Sequence, residues 1–201
     1  MNIVERANEI FATAVRDYHV TDNVDAPIHN PFQEGTIEHP LYLKNWIDTV
    51  QWHLEDLIRD PQIGPADGMA IKHRIDRSNQ ERTDLVEQID TYFYNLYASV
   101  TPLPEARLNT ESPAWAFDRL SILHVKLWHM QEQVARTDVD LIHHDTCVHK
   151  LAVLKEQLHD LTTAIEQLLD DYASGRRVMK VYRQMKMYND PTLNPVLYAK
   201  K

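Results

Sequence analysis

Three polar side chains interrupt the apolar face of one long predicted helix, and they are the first candidates for a site. Ser78 and Arg82 belong on this face by helical spacing, and Asn79 borders it. A buried guanidinium is costly unless it is paired and hydrogen-bonded, so an acidic or anionic group should meet Arg82. The pattern leaves two partners open, a carboxylate from the preceding helix or a bound anionic ligand. The apolar residues of the face are Ile71, Ile75, Leu85, Ile89, Phe93 and Leu96.

The preceding predicted helix carries a second group of polar and aromatic side chains. Asn45, Thr49, Trp52 and Asp56 lie on one side, and His53 neighbours Thr49 and Asp56. A His and an Asp three residues apart on a helix can share a metal or relay a proton, although a structural histidine is the more common case. We therefore take His53 and Asp56 as catalytic acid–base or metal candidates. The ligand-binding candidates are Arg82, Ser78, Asn79, Asn45 and Trp52.

Histidines elsewhere indicate no metal centre. His143, His144 and His149 lie in the segment HHDTCVH, where an exposed or capping role is favoured because no second cluster at ligand spacing accompanies them. A ferritin-like di-iron centre needs two Glu-x-x-His motifs, and the chain has one, which ends at His159. The sequence thus assigns no metal ligands and leaves the cofactor unknown.

Acidic pairs on the third predicted helix suggest a different chemistry. Glu81-x-x-Asp84 and Glu87-x-x-Asp90, together with Glu55 and Asp56, are similar to the magnesium sites of all-α nucleotide pyrophosphohydrolases. The second helix lacks that family's Glu-x-x-Glu array, and the acids lie mostly off the apolar face. A solvated charged face is therefore the favoured interpretation.

Five long amphipathic helices must position these groups. Their apolar stripes cannot be buried alone, so the sequence predicts an all-α bundle of about five long helices. Pro61 ends the second helix, Ser112-Pro113 begins the fourth, and Gly175 ends the fifth. The segment 21–40 is a polar loop. The helices are predicted over about 2–18, 41–60, 66–97, 113–136 and 139–174.

The charge is unevenly distributed along the chain. Residues 176–201 hold seven of the 21 Lys and Arg but one of the 30 Asp and Glu, so the first 175 residues carry a net charge of −15. We expect a single domain in which 1–175 form the bundle and the basic segment 176–201 packs on it as a tail or a short helix over about 177–188. The acidic body disfavours nucleic-acid binding.

The composition argues against several function classes. With four Gly, and without GxGxxG or GxxxxGK[ST], the chain offers neither a Rossmann nor a P-loop nucleotide site. The N-terminal residues do not form a signal peptide, and no apolar run reaches the roughly 18 residues of a membrane span. Cys147 is the only cysteine, which suits a reducing cytoplasm. Long helices with aromatic ends make a homodimer reasonable.

Two long motifs carry a resemblance to a known family. At KNWIDTVQWHLEDLIRDP (44–61) and IDRSNQERTDLVEQID (75–90), the chain resembles a bacterial family catalogued only as a domain of unknown function (number 4254). The resemblance includes the closing MYNDPTLNP (187–195) and covers nearly the whole length. It implies no activity and no catalytic residues, and it suggests a link to cell-envelope polysaccharide assembly.

These observations lead to two main hypotheses, and whether the protein is an enzyme stays open. The first is a site for an anionic, phosphate- or sugar-linked small molecule between the second and third helices, held by Arg82. The second is a non-enzymatic interaction or scaffold protein, in which the same polar residues fix the register of the helices. A magnesium-dependent pyrophosphohydrolase-like enzyme is a further alternative.

Overall fold

The computed structural model describes residues 2–185 and 192–193, and five α-helices account for most of them. The part of the chain described contains no strand, and its one isolated β-bridge joins Arg107 and Arg177. The predicted all-α bundle is confirmed. The helices are α1 (Ile3–Thr21), α2 (Glu38–Ile58), α3 (Pro65–Leu96), α4 (Pro113–Ala135) and α5 (Leu141–Ala173).

Local sequence signals set most helix ends. Asn2 and Glu5 form a capping box at the start of α1, and Asp22 ends that helix in the left-handed conformation, one turn later than predicted. Helix α2 begins at Glu38, before Pro40, because proline is tolerated in a first turn, where its missing N–H would have no helical partner. Gly175 follows α5 with a φ of 72°, as expected of a glycine stop.

Helix α4 is the central element, since it packs against each of the other four helices. The core lies where the apolar faces of α1 to α4 and the C-terminal half of α5 meet. Full burial of each large side chain there contributes about 1.5–3 kcal/mol relative to exposure. The largest fully buried apolar and aromatic side chains are Ile10, Phe11, Tyr18, Leu41, Tyr42, Leu54, Ile89, Phe93, Phe117, Leu120 and Ile165.

Helix α2 buries a face different from the apolar stripe that its sequence suggests. Leu57, predicted to lie inward, is 48% exposed, whereas Lys44 and Asn45 have no exposed surface. The reason is packing: α2 is in contact with α1, α3 and α4, so side chains on several sides of this helix are enclosed.

The prediction of a sixth helix over 177–188 is wrong for residues 177–185, because these residues are not helical. Residues 186–188 lie outside the described part of the chain. The segment 176–185 instead contacts the bundle in an irregular conformation. The backbone N–H of Val178 donates to the carbonyl of Arg107. The guanidinium groups of Arg176 and Arg177 both pair with Asp171, and that of Arg183 pairs with Glu87.

Candidate functional site

Four charged side chains from α2, α3 and α4 meet in the interior, and we call them the ion cluster: Lys44, Asp48, Arg82 and Asp118. Lys44 Nζ lies 2.5 Å from Asp48 Oδ2 and 2.7 Å from Asp118 Oδ1. Arg82 Nε lies 2.6 Å from Asp48 Oδ1, and its Nη2 lies 3.3 Å from Asp118 Oδ1. Each cation therefore contacts both carboxylates.

Neutral side chains add a hydrogen-bonded chain behind Oδ2 of Asp48, whereas the buried Oδ1 accepts no hydrogen bond within the described residues. Ser121 donates its hydroxyl to Asp48 Oδ2 at 2.6 Å. Asn45 donates its amide to the carbonyl and the hydroxyl oxygen of Ser121, at 3.0 and 3.1 Å. Thr49 donates its hydroxyl to the carbonyl of Asn45 at 2.9 Å. Asn45, a predicted ligand-binding residue, thus has a position that supports Asp48 from behind.

The ion cluster shows which groups pair with Arg82 on the apolar face of α3. The partner of Arg82 is a carboxylate from the preceding helix, Asp48, joined by Asp118 from α4. Two positive and two negative charges balance within the cluster. Charges this deeply placed are stable only with such pairing and hydrogen bonding, because the desolvation cost of each ion is several kcal/mol.

A second polar chain links α2 with the other two interrupting residues of α3. Ser78 donates its hydroxyl to Gln51 Oε1 at 3.0 Å, and Gln51 donates its amide to Asn79 Oδ1 at 3.0 Å. Arg82 Nη1 also donates to Asn79 Oδ1, at 3.4 Å. The three interrupting residues are thus tied to α2 through Gln51 and Asp48.

A cleft of about 280 Å³ opens beside the ion cluster, between α2, α3 and α4. Three of the predicted site residues line it: Trp52, Asp56 and Arg82. Asn79 and Ser78 are not part of its wall, and Ser78 borders a different depression together with Arg74, Arg77 and Glu81. The full lining of the cleft is Asp48, Gln51, Trp52, Glu55, Asp56, Arg59, Arg82, Ile122 and Val125.

The cleft has a polar floor, an apolar wall and a charged rim. At the floor, Arg82 remains 21% exposed despite its partners in the ion cluster. Trp52, Ile122 and Val125 form the apolar wall. At the rim, Arg59 Nη2 lies 3.3 Å from Glu55 Oε2, and Nη1 lies 3.3 Å from Asp56 Oδ1. Such a cleft can hold a small molecule with one anionic end.

The structure separates the two predicted catalytic residues. Asp56 lines the cleft and its side chain is largely exposed, at 62%. His53 does not line the cleft, and its Nε2 instead lies 3.3 Å from Nε2 of His19 on α1. Burial and the neighbouring His129 lower the pKa of His53. A direct His53–Asp56 hydrogen bond is not found among the described residues.

The acids of α3 serve separate structural contacts. Asp90 is buried, not solvated as predicted, and it accepts hydrogen bonds from the Ser112 hydroxyl at 2.7 Å and the Ala114 N–H at 3.2 Å. It therefore caps the first turn of α4 from a neighbouring helix, and burial raises the pKa of this carboxyl. Asp84 accepts from Gln80, and Glu87 contacts Arg183. These acids point to different partners and do not converge on one magnesium site.

Sequence reasoning missed most of the ion cluster. Lys44 and Asp48 are four residues apart, the spacing of an ordinary solvent-exposed pair on a helix. Asp118 and Ser121 are three residues apart on α4, and each directly follows a buried apolar residue, Phe117 or Leu120. This position beside the apolar face of α4 was the one indication in the sequence that the two polar side chains are buried. Nothing in the pattern of either helix alone reveals that the two pairs face each other.

Comparisons with known proteins give a family and no activity. A family model described as "Protein of unknown function (DUF4254)" matches residues 38–181, so the match leaves out the segment 187–195 that the sequence resemblance included. No curated protein and no solved structure matches the chain. In the described part of the chain, no helix is both long and apolar enough to span a membrane.

Proposed function

The chain belongs to the family described as "Protein of unknown function (DUF4254)", a name that assigns no activity, and we propose from its geometry that it binds a small anionic molecule in the cleft between α2, α3 and α4. The observation that carries the proposal is Arg82. This guanidinium is held rigidly by buried carboxylates, yet it keeps an exposed edge at the floor of the cleft.

The donor groups of Arg82 support an anionic ligand. A guanidinium has five N–H donors in a fixed plane. Among the described residues, the hydrogen bonds of Nη1 with Asn79 and of Nη2 with Asp118 occupy one donor each. The buried Nε faces Asp48 Oδ1 at 2.6 Å as an ion pair without hydrogen-bond geometry. The second N–H of each terminal nitrogen is left for a phosphate or carboxylate, and such charge-assisted hydrogen bonds are roughly twice as strong as neutral ones.

The rest of the cleft favours a ligand that also has a less polar part. Trp52 offers a ring face and Ile122 and Val125 offer apolar contact, while Arg59 at the rim can turn from its surface acids towards a second anionic group. A volume of about 280 Å³ lies near the lower end of small-molecule sites, which start at about 300 Å³, and suits a sugar phosphate.

Asp56 and His53 have different places in this proposal. Asp56 lies at the rim, where it can accept a hydrogen bond from a ligand hydroxyl or act as a base. His53 does not line the cleft, although Trp52, the residue before it, does. His53 can therefore contact a ligand in the cleft only if its side chain moves, and otherwise acts on the ligand only indirectly, through Trp52. The family's suggested link to cell-envelope polysaccharide metabolism, in the bacterial cytoplasm, agrees with a phosphate- or sugar-linked ligand.

The alternative of a non-enzymatic interaction protein has its own supporting observation. Leu141 and Ile142 at the start of α5 are about 80% exposed, and Val148 and Val153 further along that helix are also exposed. Apolar surface of this kind can mark a contact with another protein, a second copy of this chain included. The cleft is favoured because it combines concavity with convergent polar groups, which scattered exposed side chains do not.

The experiment is isothermal titration of the full chain with three probes: inorganic phosphate, glucose 1-phosphate and UDP-glucose. We expect at least one phosphate-bearing probe to bind at one site per chain. Arg82→Lys keeps the charge but loses the planar fork, and Arg59→Gln removes the rim cation. Each should weaken binding about 10- to 150-fold, because a lost charge-assisted hydrogen bond costs about 1.5–3 kcal/mol.

Arg136→Gln is the matched control. Arg136 is also an arginine paired with a nearby acid, Asp138, but it lies beyond the end of α4 and outside the cleft. This variant should bind the probe as tightly as the wild type. Absence of saturable binding for all three probes, or equal weakening in Arg136→Gln and Arg82→Lys, would contradict the proposal.

A further inference from the structure

Three histidines from three helices meet near Trp52, outside the lining of the cleft. We call His19, His53 and His129 the three-histidine cluster; they lie near the end of α1, near the end of α2, and on α4. One ring nitrogen from each lies within 4.8 Å of the others. The ring centres are 5.3, 5.3 and 5.2 Å apart, which makes a nearly equilateral triangle.

These distances match those of a tetrahedral metal centre. With Zn–N bonds of about 2.0–2.1 Å and tetrahedral angles, two ligand nitrogens lie about 3.3 Å apart, and the ring centres behind them about 5.2 Å apart. His19 Nε2 and His53 Nε2 are already 3.3 Å apart. A nitrogen separation at the upper bound of 4.8 Å requires a shift of about 1.5 Å by one ring.

The outer nitrogens of two rings are held in the way that metal-binding histidines need. His19 Nδ1 lies 2.6 Å from the carbonyl of Val15, and His129 Nδ1 lies 2.8 Å from Glu132 Oε2. Acceptors at Nδ1 place the proton there and leave the lone pair on Nε2. His129 Nε2 is buried and has no hydrogen-bond partner within residues 2–185 and 192–193.

An aromatic ring stacks on each histidine and restrains its orientation. Tyr18 stacks on His53 at 5.1 Å between ring centres. Trp128 stacks on His19 at 4.6 Å, and Trp52 stacks on His129 at 4.7 Å. The stacked rings exclude water from the flanks of the cluster and reduce the entropy lost when a ligand orders the imidazoles.

Two acidic side chains next to the cluster favour a cation there. Burial and the neighbouring His129 lower the pKa of His53, which keeps the lone pair of this ring free for a ligand bond. Asp22 Oδ1 lies 3.7 Å from His53 Nε2, and Glu132 lies behind His129. A divalent cation between the rings would thus have two carboxylates nearby.

We propose that the three-histidine cluster is a binding site for a divalent transition-metal ion, with Zn²⁺ as the preferred ion. His19, His53 and His129 supply three nitrogen ligands, and the fourth position goes to water or the Asp22 carboxylate. Imidazole ligands suit Zn²⁺, and Mg²⁺ and Ca²⁺ need oxygen ligands. The site is independent of anion binding in the cleft, although Trp52 is common to both.

The test uses full-length protein without a histidine tag, treated with a chelator and then titrated with Zn²⁺ in competition with a chromogenic chelator. We expect one Zn²⁺ per chain and a higher melting temperature with Zn²⁺ but not with Mg²⁺. Co²⁺ should give the visible absorption of a four-coordinate site. Affinity should fall when the solution is acidified, because protons compete with the metal for the imidazole nitrogens.

Four single variants separate metal binding from a purely structural role. His53→Gln and His129→Gln should lower Zn²⁺ affinity at least a hundredfold. Glu132→Gln should lower it about 10–100-fold and keep one ion per chain, because it replaces the charged acceptor behind His129 by a neutral, weaker one. The matched control is His159→Gln, an exposed histidine on α5, which should bind as the wild type does.

Two results would overturn the metal site. One is Zn²⁺ affinity in the wild type no stronger than in the double variant His53→Gln/His129→Gln. The other is an equal loss of affinity in His159→Gln and His53→Gln, which would indicate nonspecific binding to surface histidines. In either case the three imidazoles are a structural aromatic cluster. Neither result bears on anion binding in the cleft, which the titration with phosphate-bearing probes tests independently.

Discussion

At the scale of single residues, the ion cluster shows how a lysine can be fully buried. Lys44 contacts carboxylates from its own helix and from α4, and Arg82 contacts the same two carboxylates from α3. Removing one member leaves an uncompensated charge, which is far more costly than removing the whole cluster. The residues therefore stabilise the protein as a unit, and no single ion pair accounts for the effect.

The variant Lys44→Met tests this unit. It keeps the length of the side chain but leaves Asp48 and Asp118 with Arg82 as their sole cation, so the free energy of unfolding should fall by about 3–5 kcal/mol. Chemical denaturation followed by circular dichroism measures the change. Lys72→Met is the matched control, because Lys72 also pairs with an aspartate four residues later, Asp76, but both are exposed.

For Lys72→Met the expected change is within about 0.5 kcal/mol. Similar losses in the two variants would mean that burial of Lys44 adds nothing to its pairing.

The ion cluster could be predicted from the sequence only in part. Arg82 stood out because it breaks an apolar face, whereas Lys44 and Asp48 have the spacing of a solvent-exposed pair and gave no such contrast.

At the scale of helices, apolar periodicity and the Pro and Gly positions located all five elements to within a few residues. The buried face of α2 could not be obtained in this way. Periodicity identifies the most apolar side of a helix, but α2 is enclosed by three others, so its polar side is buried as well. The residue that caps α4 could not be predicted either, because Asp90 lies on another helix, 24 residues before Ala114.

The glycine after α5 provides a test at this scale. Gly175 has a φ of 72°, and a Cβ placed there would lie 2.8 Å from the backbone carbonyl oxygen of Thr101. Gly175→Ala combines conformational strain with a backbone clash, so we expect it to lower the free energy of unfolding by about 2–4 kcal/mol. Thermal and chemical denaturation measure the loss.

Gly35→Ala is the control for that prediction. Gly35 has a φ of 88°, and an added Cβ would meet nothing within 4 Å. It should therefore show the conformational cost alone, about 1 kcal/mol. An effect of Gly175→Ala no greater than that of Gly35→Ala would mean that the loop at Thr101 yields without cost.

At the scale of the whole molecule, the arrangement of the helices creates both candidate sites. The ion cluster and the cleft need α2, α3 and α4, and the three-histidine cluster needs α1, α2 and α4. The sequence suggested a bundle but could not specify which helices are neighbours, because amphipathic stripes carry no partner identity. For this reason His19 and His129, far apart in sequence from His53, escaped prediction as its partners.

The central claim is that the exposed edge of Arg82 receives an anionic ligand, and nuclear magnetic resonance tests it most directly. The ¹⁵N-labelled protein is titrated with glucose 1-phosphate while the Arg82 Nε–H and the indole N–H of Trp52 and Trp115 are followed. We predict saturable shifts for Arg82 and Trp52, with none for Trp115, which lies outside the cleft. Unchanged Arg82 and Trp52 signals at saturating probe, or equal shifts of all three, would contradict the claim.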